Sequence, residues 1–159
     1  METKEYERLA STYLDCIYRV ALNGCKNHVD AQDVVQNTFM RLLEKENGFE
    51  DDDHARKWLI RVAVNECNSF WRSPWKRRVT SLEELKQEPV FSSPEKSDLY
   101  YAVRDLPLKY RQIVHLYYFE DYSTKEIAQI MDLTETAVQT RLLRARQKLR
   151  EKLKEDGNE

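Results

Sequence analysis

Apolar residues recur every three or four positions along most of the chain, and the breaks in that recurrence mark out a succession of helices. From about Glu5 to Leu22 the repeat is Leu9, Tyr13, Ile17, Val20 and Ala21, and Asn23-Gly24 supplies a C-terminal stop. Asp30 is placed to cap a second helix running to about Lys45, with Val34, Val35, Phe39, Leu42 and Leu43 as its inward stripe. Asp33, Gln36, Asn37, Met40 and Arg41 fall on or near the outer face. Asn47-Gly48 ends that helix, and Phe49 to Asp53 form an acidic loop. A third helix carries Trp58, Leu59, Val62, Ala63 and Phe70 to about Arg72, where Ser73-Pro74 breaks it, because a residue before proline is pushed out of the helical region.

Periodicity lapses from Arg77 to Ser93, a span with Pro89 and many Ser, Thr and Glu residues, which reads as a flexible linker with at most one helical turn at Leu82 to Leu85. Ser93-Pro94 opens the next helix, a cap followed by proline in the first turn, with Leu99, Val103 and Leu106 directed inward. Leu106-Pro107 marks a break and restart, after which Tyr110, Ile113, Val114, Tyr117 and Tyr118 form another apolar stripe.

The last segment is the most informative. Ser123 precedes Glu126 by three residues, the spacing of a reciprocal capping box. Ile127, Ile130 and Met131 follow at helical spacing, Asp132 breaks the pattern, and Thr134 caps a longer helix carrying Val138, Leu142, Leu143 and Leu149. This is a helix-turn-helix, and its second helix ends in Arg141, Arg144, Arg146, Lys148, Arg150, Lys152 and Lys154, with Glu151 the single acid between Arg141 and Lys154. A basic helix entered through polar residues suits the DNA major groove, whereas a solvated helical hairpin is the plainer alternative.

With only three Gly and four Pro in 159 residues, the chain is expected to be all-α: two small helical domains, 1–76 and 94–159, joined by the linker 77–93. No apolar run is long enough to span a bilayer and the N-terminus lacks a signal-peptide core, so a cytoplasmic protein is expected. Cys16, Cys25 and Cys67 are odd in number and irregularly spaced, which argues for reduced thiols. Cys25 and His28 could begin a zinc site, but no second ligand pair follows, and neither metal nor cofactor is expected. His28, His54 and His115 accompany no nucleophile pattern or Gly-rich phosphate loop, so no enzyme is expected.

A net charge of −2 is unusual for a protein that grips phosphates, and it hides an uneven distribution. Eight acids lie between His28 and Asp53, whereas Cys67 to Val79 contain only the bases Arg72, Lys76, Arg77 and Arg78. Two kinds of partner are implied.

In the order of its motifs the chain resembles the extracytoplasmic-function (ECF) group of the sigma-70 family of bacterial RNA polymerase sigma factors. The resemblance rests on DAQDVVQNTFMRLL (Asp30 to Leu43), on Phe49 followed by WLIRVAVN (Trp58 to Asn65), and on LPLKYRQIVHLYYFEDYSTKEIAQIMDLTETAVQTRLLRARQKLR. It implies that Asp33, Gln36, Asn37, Met40 and Arg41 dock on core RNA polymerase. By the same resemblance Phe49, Asp53, Arg61, Asn65, Asn68 and Arg72 handle a melted minus-10 element, with the Trp58 ring as core. Asp51, Asp52 and Asp53 should then bond an extruded base or face away from the strand. Thr134, Thr136, Gln139, Thr140, Leu143 and Arg144 would face the minus-35 element, with Arg141, Arg146 and Lys148 as phosphate contacts or packing neighbours. Thr134, Thr136 and Ala137 replace the family's frequent Pro and Gly-Thr opening of that helix, which leaves the promoter preference open. The resemblance further implies an anti-sigma factor as partner, and a linker whose acids Glu83, Glu84 and Glu88 imitate nucleic-acid charge. A stand-alone helix-turn-helix regulator is the alternative.

Overall fold

The computed structural model describes residues 1–73 and 92–157, all helix and connecting turns among the described residues, with no strand. The linker and its turn at Leu82 to Leu85 fall almost wholly outside the described residues. The chain divides into two compact units, Met1–Lys86 and Gln87–Glu159.

Three helices make the first unit: α1 (Thr3–Cys25), α2 (His28–Glu44) and α3 (Asp52–Trp71). α1 packs against both others over a core in which Leu9, Ile17, Leu42, Leu59 and Ile60 are fully buried. Each such side chain contributes roughly 1.5–3 kcal/mol on leaving water.

α1 does not stop at Asn23-Gly24. It continues to Cys25 and ends at Lys26, whose φ of 70° is the left-handed conformation that closes many helices. Gly24 has a different use: a Cβ there would run into Cys67 of α3, so its missing side chain is what lets the two helices approach. α2 is capped by Asn27, not Asp30. The Asn27 side chain accepts from Asp30 N–H at 2.9 Å and donates to the Asp30 carboxylate at 2.6 Å, so Asp30 is the buried reciprocal member of the cap. The inward stripe of α2 is Ala31, Val34, Thr38, Phe39 and Leu42, with Val35 half-buried. Leu43, expected inside, is 52% exposed, because it lies about 100° beyond Leu42 around the helix.

The second unit comprises α4 (Pro94–Arg104), α5 (Leu108–Val114), α6 (Thr124–Met131) and α7 (Glu135–Gly157). α7 packs against the other three. Leu106, Tyr110, Val114 and Ala145 form one cluster, flanked by Val103 and Leu149. Leu99, expected inward, is exposed, and Ala102 takes the buried position on α4.

Between α5 and α6 the helix widens into a π turn, His115–Phe119, closed by Glu120 N–H donating to the His115 carbonyl five residues back at 3.1 Å. The extra residue per turn rotates the register. Leu116 is therefore buried, while Tyr117 is half-buried and Tyr118 is 50% exposed, contrary to the straight-helix expectation for the two tyrosines. The same turn brings His115 Nε2 to 2.8 Å from Glu120 Oε2, both groups buried.

Candidate nucleic-acid and partner interfaces

The outer face of α2 is as the spacing requires: Asp33, Gln36, Asn37, Met40 and Arg41 are all exposed. Leu43 joins Met40 there, three residues on, and gives the face an apolar end that a pattern-based assignment of Leu43 to the core concealed. Two of the polar members are held from behind. Glu66 of α3 accepts from Asn37 Nδ2 at 3.4 Å and pairs with Arg41 Nη2 at 3.2 Å. Asp33, Asn37, Glu66 and Ser69 line an open groove between the helices, over Val34 and Phe70.

On α3, His54, Trp58, Arg61, Asn65, Asn68 and Arg72 follow one another at spacings of four, three, four, three and four, so they run down one face. Arg61, Asn65 and Arg72 are exposed and Asn68 is half-buried. At the upper end of this stripe sits an aromatic cluster. The Phe49 ring lies 5.3 Å from His54, edge-on, and 5.6 Å from Trp58. Lys45 Nζ stands 4.6 Å above the Phe49 ring and donates to the Asn47 carbonyl at 2.6 Å, closing the loop on itself. Trp58 is thus half-buried beneath the loop, where the sequence suggested core. His54 Nδ1 accepts from Glu50 N–H at 3.2 Å, a second tie across the loop that sequence spacing did not disclose.

The three consecutive acids, which would repel phosphate, all have partners within the protein. Asp51 caps α3 by accepting from His54 N–H at 2.8 Å. Asp52 takes both ends of the Arg8 guanidinium, at 2.9 and 3.0 Å. Its carboxyl is held below the usual carboxylate range by those bonds, and Glu5, also bonded to Arg8, is lowered likewise. Asp53 pairs with Lys57 at 3.1 Å. Neither Arg8 nor Lys57 stood out in the sequence.

In the second unit the capping box is present: Ser123 Oγ accepts from Glu126 N–H at 3.1 Å and Glu126 Oε1 from Ser123 N–H at 3.2 Å. Asp132, at φ 54°, turns the chain, and Thr134 Oγ1 caps α7 by accepting from Ala137 N–H at 3.1 Å. Thr124 and Glu135, 3.0 Å apart, tie the starts of the two helices together. α7 buries Val138, Leu142 and Ala145, which leaves Thr136, Gln139, Leu143, Arg144 and Lys148 exposed and Thr140 and Arg141 half-buried. Thr134 is exposed but has one lone pair engaged as the cap.

Arg146 is placed differently. Its Nε donates to Tyr118 Oη at 2.8 Å, and the guanidinium lies 5.6 and 5.7 Å from the Tyr117 and Tyr118 rings. The Tyr118 hydrogen bond is the leading cause of a raised Arg146 pKa. Of the two roles set out for Arg146, the geometry matches packing.

Among the described residues, no group of three His, Cys, Asp or Glu residues is arranged to hold a metal, and no helix is long and apolar enough to cross a membrane. Cys16, Cys25 and Cys67 are buried and form no disulfide with one another.

A three-helix unit with a polar and aromatic face, followed by a capped helix-turn-helix with a basic second helix, defines a two-domain helix-turn-helix protein. Comparison with known proteins narrows the class. The family model for Sigma-70 region 2 matches residues 9–77 and that for Sigma-70, region 4 matches residues 96–149. The chain is 33% identical to the RNA polymerase sigma factor SigV of Bacillus subtilis over 142 residues, covering 87% of this chain and 86% of SigV. It is 30% identical to the ECF sigma factor SigM of the same organism over 152 residues, covering 91% and 92%. Among solved structures it is similar to the sigma factor RpoE of Bartonella quintana, crystallised with the anti-sigma factor NepR, with a TM-score of 0.73, 25% identity and coverage of 96% and 98%. CnrH, in complex with the cytosolic domain of CnrY, shares the fold, with a TM-score of 0.70 at 23% identity over 98% of this chain and 91% of CnrH. The chain belongs to the sigma-70 family of RNA polymerase sigma factors, in its ECF group.

Proposed function

We propose that this chain binds core RNA polymerase through the outer face of α2, reads the minus-35 promoter element as duplex with α7, and captures the melted minus-10 strand with the Lys45 to Asp51 loop and the α3 stripe. It is a specificity subunit, working in the cytoplasm, and leaves the chemistry of RNA synthesis to the polymerase. Domain limits of 1–76, 77–93 and 94–159 go with this division of labour.

The observation that carries the reading is the continuous face from the Phe49, His54 and Trp58 cluster to Arg61, Asn65, Asn68 and Arg72. An unstacked base needs an aromatic or apolar wall and polar groups for its edges, and the following strand needs cations. Asp52 and Asp53 are paired with Arg8 and Lys57, which offsets part of the carboxylate charge that would oppose phosphate at this end, and Asp51 is engaged as the α3 cap. On α7, Thr136, Gln139, Thr140, Leu143 and Arg144 reach base edges, while Arg141 and Lys148 lie towards the backbone, in keeping with the order of contacts along a recognition helix. RpoE was crystallised with the anti-sigma factor NepR, which supports an anti-sigma factor as a partner here.

In vitro transcription with purified core RNA polymerase tests the whole proposal. Promoter-specific transcripts that require this protein are the expected result. Specific duplex binding by the protein alone, with no effect on initiation, would instead mark it as a stand-alone regulator.

A further inference from the structure

Glu66 is the only charged residue between Val62 and Phe70, in the part of α3 that supplies the core with Val62, Ala63, Val64, Cys67 and Phe70. Its side chain is only 17% exposed, yet it does not turn to solvent or to a residue of its own helix. The carboxylate reaches α2 and divides its oxygens: Oε1 pairs with Arg41 Nη2 at 3.2 Å and Oε2 accepts from Asn37 Nδ2 at 3.4 Å. Asn37 and Arg41 are one helical turn apart, so a single acid on the neighbouring helix fixes two consecutive rungs of the α2 face.

We propose that Glu66 is a positioning residue for polymerase docking: it holds Asn37 and Arg41 in the orientations in which the polymerase meets them. The inference rests on the docking role given to α2 above. A long exposed arginine loses much rotamer freedom when a partner immobilises it, and that loss weakens binding. Glu66 imposes part of that restriction in the free protein. The Arg41 contact is a single ion pair through Nη2, so the guanidinium remains suited to a carboxylate or carbonyl oxygen on the partner. Asn37 and Arg41 are both exposed, so removing Glu66 orphans no buried group on α2, and the helices stay joined by their apolar contacts.

The test uses the full-length protein, fluorescently labelled and titrated with purified core RNA polymerase. Glu66→Ala should weaken binding about 5- to 10-fold, and Glu66→Gln, which keeps an acceptor, by roughly half as much on a logarithmic scale. When Asn37→Ala and Arg41→Ala are already present, adding Glu66→Ala should change affinity by less than about 2-fold, because its action passes through those residues. Melting temperatures of all variants should agree within about 2 °C. Asp33→Arg, on the same face but outside the triad, serves as the control for docking itself. If Asp33→Arg weakens binding and Glu66→Ala does not, the positioning role is overturned while docking stands. An equal loss from Glu66→Ala with and without its partners would show that Glu66 touches the polymerase directly, and a large fall in melting temperature would make it a residue of the fold; either overturns the inference. Unchanged affinity in Asp33→Arg would remove the docking role of α2, and the inference with it.

Discussion

Arg8 and Asp52 are joined by two parallel hydrogen bonds, Nη1 to Oδ2 at 3.0 Å and Nη2 to Oδ1 at 2.9 Å, across 44 residues of sequence. The pair fastens α1 to the first turn of α3, directly behind the acidic loop. Tyr13 reinforces it by donating to the Asp52 carbonyl at 3.1 Å.

Acid should release this fastening. Asp52 and Glu5 are both shifted below their ordinary values of 3.8 and 4.5 by Arg8. A carboxylate with a depressed folded-state pKa contributes stability that is fully present above its unfolded value and is lost as pH falls through the folded one. The advantage of the native protein over Arg8→Gln should be constant near neutrality, shrink below the ordinary carboxylate values and disappear once both acids are protonated. It should also diminish in high salt, since the groups are exposed. Thermal melts across pH, with and without salt, measure it; an advantage undiminished in strong acid contradicts the assignment.

Gly24→Ala should destabilise the first unit by about 1 to 3 kcal/mol, because the new methyl meets Cys67 in an already filled space. Cys67→Ala in the same molecule should recover much of that loss by vacating the sulfur's position. Urea unfolding of the two single variants and the double variant gives the coupling; simple additivity would show that the helices do not approach here as described.

Phe49→Ala should impair opening of the minus-10 region while leaving minus-35 duplex affinity unchanged, and should cost about 0.5 to 1.5 kcal/mol of stability through its lost ring contacts. Permanganate reactivity of unpaired thymines in the polymerase complex reports opening. Normal opening with Phe49 removed would take the aromatic cluster out of strand capture.

Arg144→Ala and Arg146→Ala should differ in kind. A base-reading arginine is worth about 1 to 3 kcal/mol at its own promoter position. Its loss should therefore relax specificity there. Arg146 is engaged by Tyr118, so Arg146→Ala should lower the melting temperature of the second unit and leave the salt dependence of DNA binding nearly unchanged. A fall of about one unit in the salt slope would identify a phosphate contact instead.

Most of the second unit was legible in the sequence because its signals are local. The Ser123 and Glu126 box, the Asp132 turn and the Thr134 cap depend on residues within a few positions of one another, and each occurs where spacing put it. Helix existence in the first unit was legible for the same reason, since periodicity is a property of neighbours. What could not be read was whatever depended on a second helix. Gly24 looked like a stop until Cys67 was opposite it; two other misreadings were local, Asn27 being the cap three residues before Asp30 and Leu43 lying one position past the inward stripe its spacing suggested. Likewise the outward residues of α2 were found by their spacing, but Glu66 behind them was not, because its partners are 29 and 25 positions away. The tyrosines at 117 and 118 were turned outward by a change of helix type that apolar spacing does not encode.

That π turn makes chain length itself a control on the second unit. Removing one residue from His115–Phe119 would let an ordinary α-helix close through the segment, with every later side chain rotated by about 100° relative to α5. Glu120 would swing away from His115 and Tyr118 from Arg146, and the start of α6 would be re-aimed although neither α6 nor α7 had changed in sequence. A single-residue deletion there is thus a far more severe lesion than a substitution at any one of its exposed aromatic rings, because it alters phase where a substitution alters only surface.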